Sequence, residues 1–366
     1  MNKDLKLQKE LFSPPGDTLL ETIDAIGMSQ AELAERIGRP KEKLNDIIKG
    51  REPITLKTAI LLERVLGIPV SFWMERERLY REKVARIEQM ELLKEGIEWM
   101  RKFPVRELIR RGWLSDSRDR AEQVGSLLKF FGIASPKQWK KIYLSGSISV
   151  AFKMSLANTQ SPHAISAWIR IGEHKSIKSK LPGFNKIAFK EAFSDIKKIV
   201  VKQPDDFLEQ LQAICKKCGI AVVYTPCLPK APVSGATWWK GKNPIIQLSG
   251  RYKTNDSFWF AFYHEAGHIL KHGRKDVFLE DIEGRPVDKH KEEEADQFAL
   301  KCLFPESAVK SMITSTPLSD RDIVHYARKY KTHPAIIIGQ LQHKKIIKYS
   351  KGNHFKVSIN LTDESE

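Results

Sequence analysis

His264-Glu265-Ala266-Gly267-His268 is the stretch from which the rest of this chain can be read. It lies in an apolar segment of helical character, Phe258 to Leu270. Four residues make about one helical turn, so the two imidazoles project from one face and can bind one ion. Glu265 stands on the adjoining side, where it can reach a water at such an ion and act as general base.

A site of this kind needs a third protein ligand, normally a Glu on the next helix. Glu292 lies 24 residues after His268, in Lys291-Glu292-Glu293-Glu294-Ala295-Asp296-Gln297-Phe298-Ala299. Ala295, Phe298, Ala299 and Cys302 recur at helical spacing, which makes this an amphipathic helix with an acidic entry. Glu292 and Asp296 are four apart and share a face. That suits Glu292 as ligand and Asp296 as the acceptor that orients a ligand imidazole. Glu293 and Glu294 fit a solvated helix start. His272 is a rival ligand, but His264 to His272 spans about 12 Å along a straight helix, too far for both to reach one ion. It is read as a helix-end or cleft residue.

HEAGHILKHG followed by EEEADQFALKCLFP resembles the ImmA/IrrE family of metallopeptidases, over roughly residues 195–316, about a third of the chain. Pro244-Ile245-Ile246-Gln247-Leu248-Ser249 joins the resemblance as a strand leading to Arg251 and the HExxH helix. The resemblance implies one zinc ion held by His264, His268 and Glu292, with Glu265 activating water. It also implies regulated cleavage of a partner protein, often a repressor. The Pro244–Leu248 strand is expected to align substrate by edge pairing. Tyr263, His272 and Arg251 are unranked candidates for stabilising the oxyanion.

A second informative region covers residues 12–75. Ser29-Gln30-Ala31-Glu32 reads as a capping box opening a helix through Ile37, with Leu33, Ala34 and Ile37 inward. Gly38 follows, where a tight turn needs a permissive backbone. Arg39-Pro40 starts a second helix, Lys41 to Lys49, ended by Gly50. Its Leu44, Ile47 and Ile48 face inward, leaving Lys41, Glu42, Asn45 and Lys49 outward. Two helices joined by so short a turn have helix-turn-helix geometry.

Pro14-Pro15-Gly16, Ser29 to Ala34, Gly50-Arg51-Glu52-Pro53-Ile54-Thr55 and Ser71-Phe72-Trp73 resemble the lambda-repressor-like (Xre-type) helix-turn-helix family, and within it the HigA-type antitoxins. By that resemblance Gln30, Lys43, Lys49 and Arg51 meet phosphates, while Lys41, Glu42 and Asn45 face base edges of double-stranded DNA. Pro40 departs from the pattern, standing where the family usually has a Ser or Thr that caps the recognition helix. Readers of this type usually pair on two half-sites, so the resemblance implies a homodimer.

The chain of 366 residues carries a formal net charge of +17, unevenly spread. Residues 1–76 hold 12 Lys and Arg against 12 Asp and Glu, residues 77–200 hold 25 against 13, and residues 201–366 hold 25 against 20. The basic middle segment suits nucleic acid, an acidic partner, or a merely solvated face. Apolar runs such as Ala59 to Leu62 are too short to span a bilayer, and the first residues lack a signal-peptide core, so a cytoplasmic protein is expected. Cys215, Cys218, Cys227 and Cys302 lack the second ligand pair of a zinc ribbon and are read as buried reduced thiols.

Residues 76–130 carry apolar residues at helical spacing. Trp99, Trp113, Phe130, Phe131 and Trp139 are expected to pack a small helical bundle. Ala164 to Glu173 reads as a helix with Trp168 inward, and Lys175 to Lys186 as an exposed basic stretch. Ser319 opens a helix through Tyr330, His333-Pro334 starts another toward Gln342, and Asn360 to Glu366 is expected to be disordered. The fold class is thus multidomain α+β. An all-α helix-turn-helix (1–76) and a helical middle (77–194) precede an α+β gluzincin-like zinc peptidase module (195–316) and a helical tail (317–366). The expected function is that of a DNA-binding regulator that cleaves a partner. The alternative is a HigA-like antitoxin or autorepressor whose zinc module binds a toxin partner or senses metal without proteolysis.

Overall fold

The structure, a computed structural model, describes residues 13–145, 161–177, 180–272, 278–279, 289–313, 318–359 and 361. Two compact units divide the chain: Met1–Ile97 with Ser117–Gly125, and Glu98–Asp116 with Ser126–Glu366. The expectation for the C-terminal Asn360–Glu366 falls outside the described residues, Leu361 excepted, as does Lys178 of the basic stretch.

The first unit contains α1 (Pro15–Ala25), α2 (Gln30–Arg36), α3 (Lys41–Ile48), α4 (Leu56–Leu66) and α5 (Val70–Glu95). Leu19, Ile23, Leu33, Leu44, Leu62 and Trp73 are fully or almost fully buried and form its core. Ser29 caps α2 by accepting from the Glu32 amide at 3.2 Å. The Glu32 carboxylate turns instead to Arg36, four residues on, at 2.6 Å. The expected reciprocal box is therefore half made, because an i, i+4 ion pair competes for the carboxylate. Pro40 leaves α3 without a side-chain cap. Helix α5 returns to brace the unit: the buried Glu77 accepts from the Ile54 amide at 3.1 Å and from Arg81 at 2.7 Å.

Gly16 lets α1 meet the end of α3. A Cβ there would lie 2.0 Å from the Ile48 carbonyl oxygen, and backbone cannot step aside as a side chain can. Gly16→Ala is expected to destabilise this unit by about 3 kcal/mol, accelerating amide hydrogen exchange through α1 to α4 roughly 100-fold in the full chain. Unchanged protection would refute the close-approach account.

The second unit contains α6 (Val105–Arg110), the end of α7 (Arg120–Phe131), α8 (Pro162–Ile177), α9 (Lys186–Lys202) and α10 (Phe207–Lys217). Strands β1 (Ala221–Tyr224), β2 (Gly235–Lys240) and β3 (Asn243–Leu248) follow, then α11 (Asn255–Lys271), β4 (Phe278–Leu279), α12 (Lys289–Leu303), α13 (Glu306–Ile313), α14 (Asp320–Tyr330) and α15 (Pro334–His343). The sheet order is β1-β3-β2-β4. β3 pairs parallel with β1, Ala221 opposite Ile245, and antiparallel with β2, Thr237 opposite Ile246. Both its edges are taken, so the Pro244–Leu248 strand cannot align a substrate by edge pairing. That expectation is corrected by the topology.

Aromatic packing in the middle segment follows the sequence reading. Trp99 meets Phe131 and Trp139, and Trp113 meets Phe130. Ser319 and Asp322 form a full capping box on α14. Trp168 is buried in α8. This helix runs on to Ile177, and its Lys175 is half-buried, donating to the Tyr224 carbonyl at 2.8 Å. Lys175 therefore does not belong to an exposed basic stretch. Trp168 Nε1 donates to the Thr225 carbonyl at 2.8 Å, and Arg111 donates to the Pro226 and Cys227 carbonyls at 2.9 Å each. The run that leaves β1 thus spends four carbonyls on α8 and on Arg111, which directly follows α6. The four cysteines are free thiols; Cys215 and Cys218 are buried, Cys227 and Cys302 half-buried.

Candidate metal centre

Helix α11 carries the HExxH segment through the core. Phe258, Trp259, Phe262 and Ala266 hold it there, and every residue from Ala261 to Leu270 is buried. His264 is 2%, Glu265 0% and His268 1% exposed. Gly267 allows α12 to come close: a Cβ at that position would meet the Ala295 Cα at 3.2 Å. Small residues at the crossing thereby bring Glu292 and Asp296 of α12 onto the histidines.

His264 Nε2 and His268 Nε2 lie 2.9 Å apart. Glu292 Oε2 lies 3.1 Å from the first and 3.7 Å from the second. His264 Nδ1 is 2.8 Å from Asp296 Oδ1. A carboxylate only accepts, so Asp296 accepts from a proton on His264 Nδ1, and Nε2 is the nitrogen that would face an ion shared with Glu292. Burial pushes the His268 imidazole down to about 4, so that ring is neutral at pH 7. Three ligand atoms within 4.8 Å of one another then converge from His264, His268 and Glu292.

Those separations fit a small divalent ion. Tetrahedral ligands about 2.0–2.1 Å from one zinc stand about 3.3 Å apart, close to the three distances found. The donor set, two imidazoles and a carboxylate, is of the type that binds zinc. Among the described residues, this is the one place where three such ligand groups converge.

Glu265 sits beneath β2. A Cβ on Gly235 would lie 2.7 Å from Glu265 Oε1, so glycine is what leaves the carboxylate its room. Thr237 Oγ1 donates to the Glu265 main-chain oxygen at 3.4 Å. Of the three oxyanion candidates, Tyr263 packs in the core against Phe193 and Phe262. Arg251 donates to the Pro232 carbonyl at 2.9 Å. His272 Nδ1 lies 3.0 Å from His268 Nδ1, at the end of α11. Sequence reasoning finds no role for Gly235 or Thr237, because their proximity to Glu265 arises from pairing distant in the chain.

In the first unit, Gln30, Lys41, Glu42, Lys43, Lys49 and Arg51 are exposed and Asn45 is half-buried. Lys43 is paired with Glu52, and Arg51 with Asp46 at 3.4 Å. Two of the expected phosphate contacts thus already have acidic neighbours, a feature that spacing alone does not reveal.

Residues 20–73 match the family model described as Helix-turn-helix, and residues 215–333 match the one described as IrrE N-terminal-like domain. The chain joins these two domains. No curated protein matches it. The IrrE N-terminal-like match takes in β1 to β4, α11, α12 and the whole candidate centre. No helix among the described residues is long and apolar enough to cross a membrane.

Proposed function

We propose that this chain is a cytoplasmic, homodimeric transcriptional regulator that binds double-stranded DNA through residues 1–76 and cleaves a partner protein with a zinc peptidase module at 195–316. A helical middle (77–194) and tail (317–366) complete it. The observation that carries the reading is the convergence of His264, His268 and Glu292, with Glu265 buried on the same helix as the two histidines. Zinc held by His264, His268 and Glu292 would supply Lewis acidity toward a scissile carbonyl and a more acidic water. Glu265 would act as the general base for the attacking water and return that proton to the leaving amine nitrogen. Asp296 holds His264 in the tautomer that keeps Nε2 free of a proton. On the DNA side, Lys41, Glu42 and Asn45 face base edges, with Gln30, Lys43, Lys49 and Arg51 on phosphates.

Elemental analysis tests the metal. Purified wild type is expected to hold about one zinc per chain and His264→Ala almost none. A folded, metal-free wild type prepared without chelator would sink the peptidase reading.

Complete burial of Glu265 favours a second reading. In it, the chain is a HigA-like antitoxin or autorepressor whose zinc module binds a toxin partner or senses metal without cleaving anything.

A further inference from the structure

We infer that His272 and Glu294 form a positioning pair for His268, fixing which of its ring nitrogens faces the metal. The inference rests on the zinc reading above and adds two residues to it. Neither is among the three that converge on the centre.

The chain leaves α11 at His272, whose backbone is already extended at φ −106° and ψ 159°. Its amide still donates to the His268 carbonyl at 2.9 Å, and its side chain is only 4% exposed. The ring turns back to the preceding turn, placing its Nδ1 3.0 Å from His268 Nδ1. On its other side, His272 Nε2 lies 3.1 Å from Glu294 Oε2, which α12 supplies.

Donor and acceptor roles follow from the carboxylate. Glu294 can only accept, so His272 Nε2–H donates to it. A neutral His272 then has its lone pair on Nδ1, and it accepts from His268 Nδ1–H. With its one proton committed there, His268 presents an unprotonated Nε2 toward His264 Nε2 and Glu292. The other His268 tautomer would aim a proton at the centre and set two lone pairs against each other 3.0 Å apart. Asp296 does the same for His264 in one step; His272 and Glu294 do it for His268 in two. Such outer hydrogen bonds raise ligand basicity and hold ring orientation.

The test uses the full chain and two readouts that need no substrate. Zinc affinity is measured by competition with a chromophoric chelator, and ligand geometry by the visible absorption of the cobalt(II)-loaded protein. His272→Ala is expected to weaken zinc about 10–100-fold while still reaching one ion per chain at saturation, and to alter the cobalt band. His272→Asn is expected to recover most of the affinity, because its amide oxygen takes the place of Nδ1. Glu294→Ala is expected to weaken zinc about 3–10-fold, its carboxylate being partly solvated, and Glu294→Gln to stay near wild type.

If wild type binds no zinc, the underlying metal reading falls. If wild type binds zinc and His272→Ala matches it within about 2-fold, the positioning pair falls alone. Loss of all zinc in both His272→Ala and His272→Asn would make His272 a ligand and also overturn the inference. Should His272→Ala fail to fold, Glu294→Ala decides: affinity and cobalt band both unchanged from wild type would overturn the pair.

Discussion

Glu265→Gln is expected to abolish partner cleavage while leaving zinc in place. The amide keeps the size of the carboxylate, so the space left by Gly235 is still filled and β2 has no reason to move. What disappears is the capacity to take a proton. Loss of a positioned general base costs about 10²–10⁴ in rate. His264, His268 and Glu292 are untouched, so zinc content should stay at the wild-type level. The measurement is a comparison of protein N-termini in cells expressing wild type or the variant, alongside zinc content of both proteins. New N-termini present with wild type and missing with the variant identify the substrate directly. Identical N-termini from both, with repression intact, would instead support the non-proteolytic regulator.

DNA binding supplies an independent control for that comparison. Its expected residues lie in the first unit, while Glu265 lies in the second. A variant that loses cleavage and keeps operator binding therefore separates the two activities. One that loses both has lost its fold, and a circular dichroism spectrum would show it.

How much of this is legible in the sequence depends on the range of each interaction. HExxH is a local pattern on one helix, and Glu292 and Asp296 announce themselves by sharing a face four residues apart. Pro244 to Ser249 also reads as a strand, since apolar and β-branched residues crowd there. Its place in the sheet does not read, because β3 pairs with β1 about twenty residues before it and nothing local encodes that partner. The mistaken edge-pairing expectation has this cause. Lys175 misleads for a related reason: composition marks a basic stretch, but the carbonyl of Tyr224 recruits it across 49 positions. Distance along the helix rejects His272 as a ligand and says nothing of a positioning role; its bond to Glu294 depends on how α11 and α12 cross.

Arg111→Met is expected to cost the second unit about 3–5 kcal/mol. Arg111 is 8% exposed. It donates to two carbonyls after β1 and to Glu107 Oε1 at 2.6 Å. Methionine fills much of the same volume but leaves both carbonyls without this donor, while the carboxylate keeps Arg110. The penalty is therefore mostly stranded polar groups, not lost packing. Seven of the eight tryptophans, all but Trp73, belong to this unit, so tryptophan fluorescence during urea denaturation reports on it. A midpoint unchanged from wild type would show that water replaces the arginine without cost.

Acid tests the same cluster through its other partner. Arg110 first, and then Arg111, hold the Glu107 carboxyl down to about 2, against an ordinary 4.5. A carboxyl with a lowered folded pKa stabilises fully above its unfolded value and loses that contribution as pH falls through the folded one. The window is therefore pH 4.5 down to about 2. Glu107→Gln is expected to lower stability at pH 7 and to flatten the wild-type decline across that window, since an amide has no proton to gain. Parallel acid curves for the two proteins would place the decline on other carboxylates. Arg111→Met should flatten it less than Glu107→Gln does, because Arg110 still bonds both carboxylate oxygens at 2.9 and 2.8 Å.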